Sequence, residues 1–482
     1  MIPALARLDA RLLRRSPLAL VVVALLVATA ALSVLAGLDW RDRYAGAADP
    51  MRTRVIEAQA ELRAVYDGMA SGSVAPTNVD TFDGNGVFTP DPRDPYVAGL
   101  YHKQMAELPP GPLLGLAVGS TELSATHHLI QGTPLYGLLR VGEPAERVNP
   151  GALAAGRLDL LAFVLVICPL ALIALLFDAS AREREAGLTP LLEGLRASQR
   201  DLLAARGLVR GGLVLAVALI AVVVAALLAG AVDPGRLGMW IAGVVSYLAF
   251  WTALCLAVAS TGAGSVAAAA LGIGVWTFLV LVAPGSIERA VRPTGLLEPR
   301  AAADPDVRAV MREWGAPDHV DARIDEVARR YWRVDFAARP ACARREGPLG
   351  DYAIRRLVDE AYSADLREGD AREALFDRRL DLFGWVVPTL GVRRALEQIA
   401  GVDPARQRVF RTEVIDYHAR NRDRIVEAII ACRGITRAEF DRVPVFQWRE
   451  PAMTWSPLVG GLGWPLLAGA ALFGFAMRRS RP

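Results

Sequence analysis

Six stretches of this chain stay apolar for about 20 residues, the length of helix that crosses a bilayer core. They are Leu18–Leu38, Leu160–Phe177, Gly211–Val232, Leu237–Ser260, Ser265–Pro284 and Ser456–Met477. Arg7, Arg11, Arg14 and Arg15 precede the first as they would a signal peptide. That stretch is longer than a signal core and runs straight into Asp39-Trp40-Arg41, so it reads as a retained signal-anchor. Ahead of it, Ala4, Leu5, Leu8 and Leu12 recur at helical spacing among the arginines, the pattern of an amphipathic interfacial helix.

Two long polar regions separate these spans. In the first, Val55, Ala58, Leu62 and Val65 predict a helix over Met51–Met69. Beyond Ser71 it turns to Asp83-Gly84-Asn85-Gly86 and Asp91-Pro92-Arg93-Asp94-Pro95, which is turn chemistry, with a short strand expected at Leu113–Val118. The second reads as mainly helical. Val307, Val310, Met311 and Trp314 form one stripe, and Ile354, Leu357, Val358 and Ala361 another. Phe410, Val414, Tyr417, Asn421, Ile425, Ala428, Ile429 and Cys432 predict one long helix.

Basic residues near span ends set orientation. The N-terminal arginines, the closing Arg478-Arg479-Ser480-Arg481, and Arg182, Arg184, Arg196, Arg200, Arg206 and Arg210 all fall on one side of six spans, the cytoplasmic side by this rule. The expected fold class is thus an α-helical polytopic membrane protein: six transmembrane helices, an N-terminal interfacial helix, and two large extracytoplasmic domains, the second mainly helical. The expected layout is an interfacial helix (1–16), a span (17–38), a first extracytoplasmic domain (39–159), a span (160–177) and a cytoplasmic segment (178–210). Three spans (211–284), a second extracytoplasmic domain (285–455), the last span (456–477) and a cytoplasmic tail (478–482) follow. Both termini are expected in the cytoplasm.

Composition agrees. Hydrophobic residues are 53% of the chain and charged ones 22%, too apolar for a soluble protein and too charged for a bare bundle. The net charge of +3 provides no field for nucleic acid. Cys168 and Cys255 fall inside spans, as buried thiols do. Cys342 and Cys432 fall in the second polar region, where oxidation is permitted; a bridge and a core thiol both stand as readings of Cys432.

Several chemistries lack their residues. There is no Gly-rich loop followed by Lys, so no ATP site of that type. The spans carry essentially no ionisable residues, which argues against a self-sufficient ion-coupled transporter. His127-His128 lacks the i, i+4 spacing of a helical metal site, and no Gly-x-Ser-x-Gly elbow supports a hydrolase. No catalytic, cofactor or metal residues are assigned. Glycines such as Gly272 and Gly274, or Gly460, Gly461 and Gly463, read first as close helix packing.

The segment after the second span is the most distinctive. Arg182-Glu183-Arg184-Glu185 is followed by Leu188, Leu191, Leu192 and Leu195, a charged start and then an apolar stripe. Spacing alone allows a helix that docks in a groove of a soluble partner, or one that lies on its own bundle.

At Arg182-Glu183-Arg184-Glu185-Ala186-Gly187-Leu188 the chain resembles permeases of ABC-type exporters of the type-2 superfamily, which carry Glu-Arg-Glu-x-Gly-Thr-Leu there. It looks most like the branch linked to multicopper-enzyme maturation, with two large outer insertions. Similar to that branch are Asn149-Pro150, Gly156-Arg157-Leu158-Asp159-Leu160, Leu108-Pro109-Pro110-Gly111-Pro112-Leu113, Val118-Gly119, and Pro388-Thr389-Leu390 through Ala400-Gly401-Val402-Asp403. Leu188-Thr189-Pro190 departs from the family, which continues without proline.

The resemblance implies a permease subunit of a bacterial inner-membrane exporter, with Arg182, Glu183, Arg184, Glu185, Gly187, Leu188, Leu191 and Leu192 contacting a cytoplasmic ABC ATPase. ATP and Mg would be bound by that partner and no cofactor by this chain. A second six-span half, membrane lipid and an envelope protein at the outer domains are the other expected partners. Replacing Glu183 and Glu185 with Ala is expected to uncouple hydrolysis from transport without unfolding. Two other readings stand beside it: an envelope scaffold that moves no solute, and a metal-handling protein using the outer histidines.

Overall fold

A computed structural model of the chain describes residues 2–77, 89–123, 125–132, 143–144, 158–187, 198–230, 233–292, 317–338, 340, 343 and 347–479. Among these residues, six helices are long and apolar enough to cross a membrane: Pro17–Ser71, Leu160–Glu185, Gln199–Ala229, Pro234–Ala259, Ser265–Val291 and Trp455–Arg479. They are the first to sixth spans of a multi-pass α-helical membrane protein.

The first span starts where the Ala19 amide donates to the Ser16 hydroxyl, with Pro17 in the first helical turn, where its missing N–H goes unneeded. It does not end near Leu38. Helix Pro17–Gly46 leads after two residues into helix Asp49–Ser71, which stops at Gly72 with φ +76°. The fourth and sixth spans run parallel: Ser246 Oγ donates to Leu462 O at 2.6 Å, and a Cβ on Gly469 would lie 3.1 Å from Phe250 Cα. Ser180 Oγ donates to Ala259 O, and helix Ile2–Arg15 packs on helix Gln199–Arg206. Residues 2–15, 178–187, 198–210 and 470–479 therefore share one end of the bundle, called here the arginine end. The polar regions form a body at the other.

Four spans contain a π-helical turn: Phe163–Ile167, Gly207–Gly211, Thr277–Val282 and Val459–Gly463. Such a turn loosens the regular ladder and leaves carbonyls for other donors. Leu165 O accepts from Tyr247 Oη at 2.9 Å and Val166 O from Trp276 Nε1 at 3.2 Å, so the second span is bonded to the fourth and fifth inside the apolar region.

The second polar region is not wholly outside the bundle. Helix Pro348–Phe383 turns through Gly384–Val387 into helix Pro388–Ala400, which packs between spans. Thr389 Oγ1 lies 3.1 Å from Tyr247 Oη, halfway along the fourth span, and Cβ atoms on Gly243 and Gly461 would clash with Leu396 and Gly391. At the tip Leu382 and Val386 are each 69% exposed, an apolar surface at the depth of the spans. The 285–455 boundary read from hydropathy is corrected accordingly. At 13 residues, interrupted by Arg393 and Arg394, the inserted helix is too short and too charged to register as a span.

The strand expected at Leu113–Val118 is also corrected: those residues are a run of buried turns. Pro109, Pro110 and Pro112 lack amide donors for a ladder, and glycines permit close approaches instead. A Cβ on Gly37 would lie 2.2 Å from Gly115 O, and one on Gly111 2.5 Å from Gly401 O. The Leu113 amide donates to Ala400 O and the Ser120 amide to Val402 O, both at 3.1 Å. Asp159 caps the second span through the Ala162 amide at 2.7 Å and accepts from the Val118 amide at 2.8 Å. Three motifs far apart in sequence (108–119, 158–160 and 388–402) thus form one collar where body meets bundle.

In the body, β1 (Gln104–Glu107), β2 (Ala125–Ile130) and β3 (Glu143–Pro144) make an antiparallel sheet in that order. His127 and His128 are consecutive on β2, so their rings leave on opposite faces. Both are buried: His127 Nδ1 meets Thr126 Oγ1, and the His128 ring lies 5.8 Å from Phe410. The long predicted helix is Pro404–Ile430, burying Phe410, Val414, Tyr417, Val426, Ala428 and Ile429. It ends before Cys432, which takes φ +49° and is disulfide-bonded, whereas Cys168 and Cys255 are free. Cys342 and the stripe at 307–314 lie outside the described residues.

Candidate functional site

The second span ends in helix Ala181–Glu185, the charged motif singled out above. Gly187 follows at φ +69° with open space around it, a conformation that favours glycine and turns the chain away. Four of its neighbouring groups are fixed from inside the protein. Arg206 of the third span donates to Ala179 O and bidentately to Glu183, with one Nη1–Oε2 bond of 2.8 Å. Arg210, one helical turn on, donates to Leu175 O and to Asp178 Oδ1 at 3.0 Å. Its other edge holds Asp9 of helix Ile2–Arg15, at 3.1 and 2.9 Å. Arg206 Nε also approaches Asp9 Oδ1 at 3.4 Å.

Asp9, Arg206 and Arg210 are all buried. Charges taken from water persist only when paired and hydrogen-bonded on most sides, and the carbonyls of Leu175 and Ala179 complete that here. Leu8 and Leu12 stand more than half exposed on the side of their helix away from the bundle, while Asp9 points in.

Arg184 donates to Ser180 Oγ at 3.0 Å and to Ala263 O at 2.6 Å, reaching the link between the fourth and fifth spans. Glu185 accepts from Ser265 N and Ser265 Oγ, both at 2.7 Å. The fifth span begins after Gly264, which has no side chain to cap it. Glu185 supplies the missing cap from another helix, and its charge also suits that positive helix end.

Of the residues chosen from sequence, then, Glu183 bonds to the third span, Arg184 to the link after the fourth and Glu185 to the start of the fifth. Arg182 is exposed and makes no ion pair or side-chain hydrogen bond among the described residues. Leu188, Leu191 and Leu192 lie outside the described residues. Sequence reasoning missed Asp9, Asp178, Arg206 and Arg210 as a unit. Two signals were present: a lone acid among arginines in the first helix, and two arginines at i, i+4 entering an apolar span.

Among the described residues no group of three or more His, Cys, Asp or Glu is placed to hold a metal ion. Residues 321–449 match a family described as a domain of unknown function, DUF3526, which covers the inserted hairpin and most of the helical body. No curated protein and no solved structure matches the chain.

Proposed function

We propose that this chain is the permease subunit of an ATP-driven exporter of the ABC type, with the arginine end in the cytoplasm of a bacterial cell and the body outside. A separate ATPase, which carries ATP and Mg, docks on the segment from Arg182 onward. A second permease half completes the pathway. The observation that carries this reading is the bonding of helix Ala181–Glu185. Glu183 holds the third span, Arg184 the link after the fourth and Glu185 the start of the fifth, while the helix itself continues the second. A push on one short helix therefore moves four spans together. This is the form a coupling element needs when nucleotide biases a two-state bundle.

Three further features support it. Arginines flank the spans at the arginine end, as they flank spans on the cytoplasmic side. Leu8 and Leu12 face away from the bundle, where a lipid interface would meet them. Cys432 is oxidised in the body, as suits an extracytoplasmic compartment.

The test is purification of the tagged full-length protein from native membranes in mild detergent. A stoichiometric soluble ATPase, lost on Arg182→Glu, is the expected result. Recovery of envelope proteins alone under several detergents would replace the permease reading with that of a scaffold.

A further inference from the structure

Where the collar meets the spans lies a cavity of about 410 Å³, between the turn at Val118–Gly119, the second and fifth spans and helix Pro388–Ala400. Its walls change character with depth. Leu165 and Val166 of the second span, Val280 of the fifth and Leu390 make one end apolar. The first three lie in the π-helical turns Phe163–Ile167 and Thr277–Val282, a kind of turn frequent at functional sites. Asp159 lines the cavity about 10 Å further along the second span, at 1.5 Å per residue. The inserted helix adds Thr389, Arg393 and Glu397, spaced i, i+4, i+8 and therefore on one face. It turns that polar stripe to the cavity.

The charges here do not balance. Among the described residues Glu122, Asp159 and Glu397 line the cavity against a single arginine, Arg393. Arg393 is also shared: its Nε donates to Glu397 Oε1 at 2.9 Å and its Nη1 to Glu288 Oε1 at 3.3 Å. Both Asp159 oxygens accept from backbone amides, of Ala162 and Val118. Glu397 differs. It is only 7% exposed, yet its Oε2 has no hydrogen bond among the described residues and is not sealed from the cavity. A carboxylate held this far from water needs a partner on its open side.

We propose that this cavity binds an organic monocation, a protonated amine carried on a compact hydrocarbon. The ammonium donates to Glu397 Oε2, and the hydrocarbon packs on Leu165, Val166, Val280 and Leu390. The excess of carboxylates over arginine selects a cation against an anion. The volume falls in the range of small-molecule sites, about 300–1,000 Å³, and toward its lower end. Binding here does not rest on the permease reading, which concerns the opposite end of the bundle and is tested by co-purification.

The test is calorimetric titration of 4-phenylbutylamine into the full-length protein in phosphatidylcholine nanodiscs, against empty nanodiscs. Saturable binding is expected, with 4-phenylbutan-1-ol, which keeps the shape and loses the charge, roughly tenfold weaker. Glu397→Gln should bring the amine down to the affinity of the alcohol and leave the alcohol unchanged. Val166→Trp, which fills the apolar end, should weaken both probes. Absence of saturable amine binding by the wild-type protein overturns the proposal. So does equal affinity for amine and alcohol, or tighter binding of 4-phenylbutanoate, comparisons that need no variant to fold. Undiminished binding by Val166→Trp that melts as wild type overturns the location.

Discussion

Arg210 and Asp9 stand 201 positions apart in sequence, yet the guanidinium of one grips both carboxylate oxygens of the other. This joins the N-terminal helix to the third span, and through Asp178 and Leu175 to the second. Asp9→Asn removes the charge and leaves Arg210 and Arg206 facing a neutral amide. Breaking one side of a buried pair costs about 3–5 kcal/mol. The expected result is a clear fall in the denaturation midpoint in nanodiscs. An unchanged midpoint would show that the N-terminal helix is not held by this pair.

Glu185→Ala and Arg182→Glu separate internal from external roles. Glu185 caps the fifth span, so its loss should speed amide exchange at Ser265–Ala268. Arg182 has no ion pair or side-chain hydrogen bond among the described residues, so its reversal should leave exchange and melting unchanged while abolishing ATPase co-purification. The sequence-based expectation for replacing Glu183 and Glu185 with Ala is uncoupling without unfolding; their internal bonds add an expected cost to the fold. Glu183→Ala leaves the buried Arg206 short of its main acceptor and should destabilise the chain itself. Equal melting of Glu183→Ala and wild type would contradict this.

Tyr247→Phe deletes the hydroxyl that joins Leu165 O and Thr389 Oγ1. A buried hydrogen bond contributes about 0.5–1.5 kcal/mol, and the exposed carbonyl adds to the loss. Hydrogen exchange should rise in the hairpin at 384–400 more than in the Pro404–Ile430 helix. Uniform exchange across both would place the hairpin outside the spans.

His102 sets a pH dependence. The unfolded chain binds a proton near the ordinary histidine value of about 6.5, whereas the folded protein binds it only near 4. Between those values the unfolded state holds more protons, so stability rises with pH across that window and falls on acidification. The full effect is about 3 kcal/mol between neutral pH and pH 3. His102→Phe should flatten that part of the stability profile, measured by denaturation from pH 3 to 7.5. A profile of identical slope in both proteins would remove His102 from it.

The spans were legible because their signal is local. Leu160, Ser265 and the neighbourhood of Leu237 start helices where hydropathy begins, and the caps there are Asp159 and Asp233 or a neighbour's Glu185. The charged motif was legible as a motif but not as a clasp. Spacing shows that Glu183 and Arg184 can share a short helix; it cannot show that Arg206 waits 23 residues on. The inserted hairpin was hidden for a different reason. Its helix satisfies Arg393 through Glu397 at 2.9 Å and Arg394 through Asp381 at 2.7 Å, so charges that lower any hydropathy average are neutralised in place. Only tertiary pairing makes such a segment compatible with its depth.

The first span has a mechanical meaning as well. At 1.5 Å per residue its 55 residues reach about 80 Å, well over twice a hydrocarbon core of about 30 Å. The excess is moored to the body along its length: Arg52 to Glu107, Gln59 to Lys103 O, Arg63 to Asp441, and Tyr66 to Pro92 O and Ile435 O. Such a helix works as a mast. A tilt of a few degrees imposed at its foot swings the masthead by several ångströms, and the body must follow as rigging does.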